Sequence, residues 1–191
     1  GLLRTTWLSA GVAVLATAGA SVPSLRRVSV FGVNSGEGPG GIPINKTARA
    51  AGVTAAATGE SYALTVTYGE REVTVTRADL EQLPQQTEAL PIACVEGWSA
   101  SGTWTGPRVR DVLDLVDAPR GSDVRVESLQ AAGPFRVTIL QDGFADDDLT
   151  LLALALDGEP LALDHGYPCR LIAPNRPGVL QTKWVTRLDV L

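Results

Sequence analysis

The chain has 191 residues, of which 45% are hydrophobic and 19% charged, a balance ordinary for a globular protein and too apolar for general disorder. Its formal net charge of −5 excludes an extended nucleic-acid-binding surface, which needs clustered Lys and Arg to neutralise phosphates. The length suits one well-buried domain with an appendage, and the lack of methionine even at position 1 makes a piece or processed product of a longer protein the expectation.

The first element is "TTWLSAGVAVLATAGASVPSL", Thr5 to Leu25, uncharged between Arg4 and Arg26–Arg27. Its length can cross a bilayer as a helix, and its Ala, Gly and Ser content suits packing against other membrane helices. Residues 1–27 are therefore expected to form a transmembrane helix or anchor. A signal peptide ending at "AGA" (18–20) and a buried soluble helix are the alternatives. Arg26–Arg27 favour a cytoplasmic exit under the positive-inside rule.

Residues 28–55 read as a Gly- and Pro-punctuated connector. Its "GEGPGG" matches G-x-G-x-x-G at Gly36, Gly38 and Gly41, but Pro39 and Pro43 interrupt any strand–loop–helix phosphate cradle. Residues 28–41 are assigned to a linker and 42–191 to the folded domain. "SYALTVTYGEREVTVTRADLEQLP" alternates on both sides of "YGER", predicting a hairpin followed by a short helix. "PIACVEG" predicts a short strand ending at Gly97. "PRVRDVLDLVDA" predicts an amphipathic helix closed by Pro119. "DVRVESLQ" and "FRVTILQ" predict two more strands. "DDDLTLLALALDGEPL" is a helix or a strand with an acidic start and a "DGEP" turn, and "CRLIAPN" and "TKWVTRLDVL" close the chain as strands. Short strands with brief helices and no βαβ alternation predict an α+β fold on mixed, mainly antiparallel sheet.

Few residues can carry chemistry. Cys94 and Cys169 are the two cysteines and His165 the one histidine. A serine triad is disfavoured because "GWSAS" (97–101) lacks the last Gly of G-x-S-x-G. A zinc site from Cys94, Cys169 and His165 lacks C-x-x-C or H-x-x-x-H pairing. A Cys94–Cys169 disulfide and an inert buried Cys94 remain as plain readings. Against them, "DHGYPCR" sets His165 and Arg170 about a Gly-Tyr-Pro turn, and "QTKW" adds Lys183. Such groups suit a phosphate-bearing cofactor, and a thiolate suits a soft or high-valent metal beside it.

Two segments, "PIACVEGWSASGTWTGPRVRDVLDLV" and "LLALALDGEPLALDHGYPCRLIAPNRPGVLQTKWVTRLDVL", closely resemble the molybdopterin-binding domain of the sulfite oxidase family, nearest its bacterial membrane-associated members. The resemblance covers about residues 42–191. It implies a mononuclear molybdenum held by one pterin dithiolene and one protein thiolate. It further implies that Cys94 is the metal ligand and catalytic residue, and that His165 and Arg170 hold the pterin and its phosphate. Gln181, Thr182 and Lys183 would complete the phosphate site. Asn45 would lie near the metal, and Ser128 would supply a hydroxyl to the cofactor. Cys169 is assigned to packing, and Glu96 and Trp98 to supporting positions. Two departures bear on substrate: Ile44 stands where sulfite oxidases carry an arginine, and Phe135 stands where they carry a tyrosine. Loss of such donors costs about a hundredfold or more in rate, so reduction of an S- or N-oxide is expected over sulfite oxidation.

The resemblance also implies a small-molecule substrate, a separate or fused membrane electron carrier and a monomeric, membrane-anchored catalytic domain facing away from the cytoplasm. The competing class is a degenerate, non-enzymatic extracytoplasmic binding module of the same fold.

Overall fold

The computed structural model describes residues 38–94 and 97–191. The expected N-terminal helix and most of the linker lie outside these residues; among the described residues no helix is long and apolar enough to cross a membrane. Two short helices open the domain, α1 (Ala48–Ala51) and α2 (Thr54–Thr58), where the sequence reading had only connector. Thr47 caps the first, accepting from the Ala50 amide, and Gly52 ends it at φ +70°. Ala48, Ala51, Val53 and Ala57 bury themselves against Trp184, so tertiary packing rather than length stabilises these turns.

The hairpin follows as expected. Strand β1 (Ala63–Tyr68) pairs antiparallel with β2 (Arg71–Thr76) through a turn with Gly69 at φ +58°. Helix α3 (Arg77–Gln82) starts in a capping box: Thr76 and Asp79 satisfy each other's backbone amides. Strand β3 (Gln85–Ala93) corrects the short strand expected to reach Gly97. It begins six residues before "PIACVEG" and stops one residue before Cys94, because it pairs along its whole length with β4 (Ser99–Pro107). Helix α4 (Val109–Leu113) and a 3₁₀ turn (Asp114–Val116) form the expected amphipathic segment.

Strands β5 (Val124–Ser128) and β6 (Val137–Leu140) pair as expected, and a short helix α5 (Asp142–Ala145) follows. The helix-or-strand segment resolves into strands β7 (Leu151–Ala153), β8 (Ala155–Leu156) and β9 (Glu159–Pro160). The last two are joined by Asp157 and Gly158, both at positive φ, as a two-residue hairpin turn demands. A 3₁₀ turn (Leu163–His165), β10 (Arg170–Ile172), a second 3₁₀ turn (Gly178–Leu180) and β11 (Val185–Val190) end the chain.

The larger sheet has the order β2-β1-β11-β5-β6, with β11 parallel to β1 and the other neighbours antiparallel. A second sheet runs β3-β4-β8-β9, and β10 pairs with β7. The α+β, mainly antiparallel expectation holds. Alternation along β1 buries Leu64 and Val66 completely, and with Val124, Val126, Val185 and Leu188 they face Val109, Val112 and Leu113 of α4. Trp104, Ile92, Leu151 and Ile172 form a second core under β4.

The two cores meet where β4 crosses β7. A Cβ on Gly106 would lie 2.1 Å from the Leu152 carbonyl oxygen and 2.8 Å from the Ala153 Cα, so only glycine allows the approach. Gly106→Ala should lower stability by about 3 kcal/mol, whereas Gly143→Ala, with open space at its Cβ, should change it little. Chemical denaturation of both variants measures the contrast.

Candidate functional site

The C-terminal segment builds one wall of the site. Residues 175–181 run between two cavities. On one side a cavity of about 340 Å³ is lined by Pro91, Cys94, Ser99, Asn175, Arg176 and Pro177. On the other a cavity of about 140 Å³ is lined by Asn45, Lys46, Gln130, Phe135, Thr182 and Lys183, with Gly178 and Gln181 also on its wall. The separating turn is pressed onto the end of β3: a Cβ on Gly178 would lie 2.8 Å from the Ala93 carbonyl oxygen and 2.9 Å from Ile92 Cγ2. That contact fixes the strand end from which Cys94 emerges.

Cys94 is half-buried with a free thiol. Its amide donates to the Trp98 carbonyl at 2.9 Å, and its own carbonyl accepts from the Gly97 amide at 3.0 Å. Cys169 is also free and fully buried in the large core, so the two cysteines form no disulfide. Burial pushes its thiol up to about 12, beside the Tyr62 hydroxyl, whose own ionisation is raised first by burial. A thiol held that firmly protonated is a packing group. The described residues hold no cluster of three His, Cys, Asp or Glu suited to a metal ion, which removes the zinc reading for them.

Lys183 follows Thr182 two residues before the last strand. Its Nζ donates to the Lys46 carbonyl at 2.9 Å and the Asp164 carbonyl at 2.8 Å. Burial, then Arg170, lower its ionisation to about 7; Asp164 and Cys94 oppose this, and Lys46 adds to it. The Lys183 carbonyl accepts from Ser128 Oγ at 2.8 Å. The Ser128 hydroxyl is therefore spent on the backbone behind the cavity wall, where it holds Lys183 in place; it does not line either cavity. Thr182 pairs its hydroxyl with that of Thr138 at 3.1 Å. Gln181 donates to the Arg176 carbonyl at 2.9 Å and leaves Oε1 buried without a partner.

Arg170 is 4% exposed, lies 5.2 Å over the Trp104 ring and donates to the His165 carbonyl at 3.0 Å. Its Nε is buried without a partner, and burial lowers its ionisation to about 10. Arg176 repeats the pattern, with a buried unpartnered Nε and ionisation lowered by burial to about 10. Neither guanidinium loses its charge at neutral pH. His165 is buried and lines a third cavity of about 170 Å³ with Gly40 and Asp157. A Cβ on Gly38 would lie 3.0 Å from its ring. The end of the glycine run is thus packed onto the domain, not extended away from it.

The structure therefore brings Asn45, Gln181, Thr182 and Lys183 to one cavity and sets Cys94 in the next. Arg170 lies buried between Trp104 and the His165 turn, and the His165 ring faces a separate cavity. Lys46, Gln130 and Arg176 join the site without having been foreseen. Lys46 adjoins Asn45 in "INKTA" and Arg176 stands in "NRPG", but neither motif announces a cavity wall.

The cations share a further property. Among the described residues every arginine other than Arg49, Arg170 and Arg176 forms an ion pair with a carboxylate; Lys46 and Lys183 form none. Three cations without an ion pair, Lys46, Lys183 and Arg176, thus line the two cavities, and Arg170 lies close to Lys183, in a protein of net charge −5. Buried charges without partners are costly, so such a set suits an anionic ligand.

Comparison with known proteins assigns the chain to a family. The model of the oxidoreductase molybdopterin binding domain matches residues 50–191. The methionine-sulfoxide reductase catalytic subunit MsrP of Xanthomonas axonopodis pv. citri is 30% identical over 124 residues, covering 57% of this chain and 38% of that protein. Sulfite oxidase of Arabidopsis thaliana is 29% identical over 113 residues, covering 50% of this chain and 29% of that one. The crystal structure of the sulfane dehydrogenase SoxCD from Paracoccus pantotrophus superposes with a TM-score of 0.62 at 24% identity, over 69% of this chain and 38% of that chain. The chain belongs to the oxidoreductase molybdopterin-binding domain family, the sulfite oxidase family of enzymes, whose cofactor is molybdenum–molybdopterin. It spans well under half the length of these relatives.

The buried amine gives a pH signature. In the cofactor-free protein Lys183 titrates near 7 when folded and near 10.5 when unfolded. Below about 7 the full cost of burying the ammonium weighs on the fold. That cost falls as pH rises towards 10.5, because the unfolded chain then binds more protons than the folded one. Lys183→Met should therefore stabilise the cofactor-free protein most at pH 6.5, with the gain shrinking steadily towards pH 10. Urea unfolding across that range tests the sign.

Proposed function

We propose that the domain catalyses two-electron oxygen-atom transfer on a small substrate, reducing an S- or N-oxide in preference to oxidising sulfite. The observation that carries this reading is the set of cations without an ion pair, Arg170, Arg176, Lys46 and Lys183, beside a half-buried free thiol, Cys94.

The residues present fit the family's cofactor. The orphaned donors Arg170 Nε and Arg176 Nε are what a phosphate-bearing pterin would satisfy, and the unpartnered Gln181 Oε1 can accept from its ring nitrogens. Lys183 and Arg170 would neutralise the phosphate, with Thr182 and Gln181 as hydrogen-bonding partners. An anion beside Lys183 restores its ammonium form at neutral pH. His165 would help hold the pterin, and Cys94 would bind molybdenum as thiolate. When bound, the cofactor supplies the exchange of one oxygen atom and two electrons.

The protein's part is to bind, orient and exclude. The Gly178 turn holds the end of β3, and with it Cys94, against the basic wall. Ser128 locks the Lys183 backbone. Substrate would enter from the Cys94 cavity, because Asn45 and Phe135 share theirs with Gln181, Thr182 and Lys183. Phe135 is 42% exposed and offers no hydroxyl, and Ile44 Cγ1 faces Gly38, so neither supplies the donor expected of a sulfite site. The similarity to a methionine-sulfoxide reductase supports the S-oxide reading. Anchoring through the N-terminal segment, an extracytoplasmic setting and a membrane electron carrier belong to the same proposal and rest on the family resemblance.

Protein from a molybdenum-replete, cofactor-competent host supplies the test. Wild type should carry one molybdenum per chain and oxidise a reduced dye in the presence of dimethyl sulfoxide or trimethylamine N-oxide. Cys94→Ser should lose that activity and alter metal content or spectrum, while Cys169→Ser should retain both. Arg170→Ala or Lys183→Ala should lower pterin content at least tenfold. A fully loaded wild type that turns over sulfite but neither oxide would overturn the substrate reading.

A further inference from the structure

Residues 38–48 cross the domain as a strap that runs from the His165 cavity to the Lys183 cavity. At the first end a Cβ on Gly38 would lie 3.0 Å from the His165 ring, and one on Gly40 would lie 2.9 Å from Asp157 Oδ2. Ile42 then drops into the second core, 1% exposed, where a Cβ on Gly102 would lie 2.8 Å from its Cδ1. Asn45 and Lys46 pass along the wall of the Lys183 cavity, and Ala48 ends the strap at the start of α1. Two polar ties hold this second end. The Ala48 amide donates to Asp164 Oδ1 at 2.7 Å, and the Lys46 carbonyl accepts from Lys183 Nζ at 2.9 Å. Lys183 also donates to the Asp164 carbonyl at 2.8 Å, so Asp164 and Lys183 together fasten the strap to the turn that carries His165.

An ammonium has three N–H donors; two are committed to these carbonyls, which leaves one for the cavity that Lys183 lines. An anion in that cavity favours the charged form, whose bonds to both carbonyls are stronger than those of a neutral amine. Without an anion the amine titrates near 7, and its hold on the strap slackens at neutral pH. Strap closure and anion binding thus favour one another, and the coupling is the same in both directions. We infer that residues 38–48 form a clasp that retains the cofactor, and that Asp164 is the positioning residue that latches it to the His165 turn. The strap lifts for the cofactor to enter or leave, and the bound phosphate, through Lys183, draws it shut. The inference rests on the molybdopterin reading of the site but concerns retention, not turnover.

Hydrogen exchange of residues 42–50 near neutral pH, read by mass spectrometry, compares cofactor-free with loaded protein. Loss of pterin from the loaded protein is followed by fluorescence of the oxidised pterin. Loading should slow exchange of the strap about tenfold or more while β5 and β11 change little. Asp164→Ala, which deletes the acceptor of the Ala48 amide, should speed both strap exchange and pterin loss about tenfold. Asp164→Asn keeps an acceptor there and should stay within about threefold of wild type on both readouts. Ile42→Val loosens the strap at a point that touches neither Asp164 nor Lys183, and should raise the two rates together. A loaded protein whose strap exchanges as fast as the cofactor-free form would overturn the inference. So would a faster strap with unchanged pterin loss in Asp164→Ala or Ile42→Val. If wild type from a cofactor-competent host holds no pterin, the reading beneath the clasp fails and takes the clasp with it.

Discussion

One buried and one half-buried cation set the terms for this domain. Arg170 and Lys183 sit with backbone carbonyls as their hydrogen-bond partners, supplied by Lys46, Asp164 and His165. Removing an ammonium and a guanidinium from water costs several kcal/mol each unless opposite charge compensates. Here compensation is only partial: Asp164 favours the Lys183 ammonium from nearby, but it commits one carboxylate oxygen to the Ala48 amide at 2.7 Å and forms an ion pair with neither cation. The fold bears that cost through its two cores, and an anion at the site would relieve it. Cofactor binding and stability are thereby coupled.

The same constraint orders the surrounding elements. Lys183 can reach the carbonyls of residues 46 and 164 only because β11 lies centrally, parallel to β1, and because Trp184 anchors the chain below it. Trp184 takes φ +53°, sits fully buried among α1 and α2, and donates from Nε1 to the Leu163 carbonyl at 2.7 Å. Residues from both ends of the described chain converge on this point. The short N-terminal helices thus serve as packing for the cationic wall.

Much of this was legible in the residues. Alternation marked β1, β2, β5, β6 and β11, since each has one buried face. β4 was missed because "SASGTWTGP" is rich in Gly, Ser and Pro; its strand state comes from pairing with β3 and from the Gly106 crossing, both tertiary facts. Helices of four and five residues carry too few turns for a periodic signal. At the site, the resemblance implied that Asn45 lies near the metal, whereas the structure sets it in the cavity of Gln181, Thr182 and Lys183 and sets Cys94 in another. It could not show that Ser128 would turn its hydroxyl to the Lys183 carbonyl, or that Lys46 and Gln130, 84 positions apart, would meet across a cavity. Those juxtapositions depend on chain crossings that no local pattern encodes.

The most direct measurement is an anomalous-scattering map at the molybdenum absorption edge, from crystals of the loaded protein. A single molybdenum at bonding distance from Cys94 Sγ is the predicted result, with cofactor density ending in a phosphate against Lys183 and Arg170. A map with no metal beside Cys94, or with the phosphate lodged away from those two cations, would contradict the account.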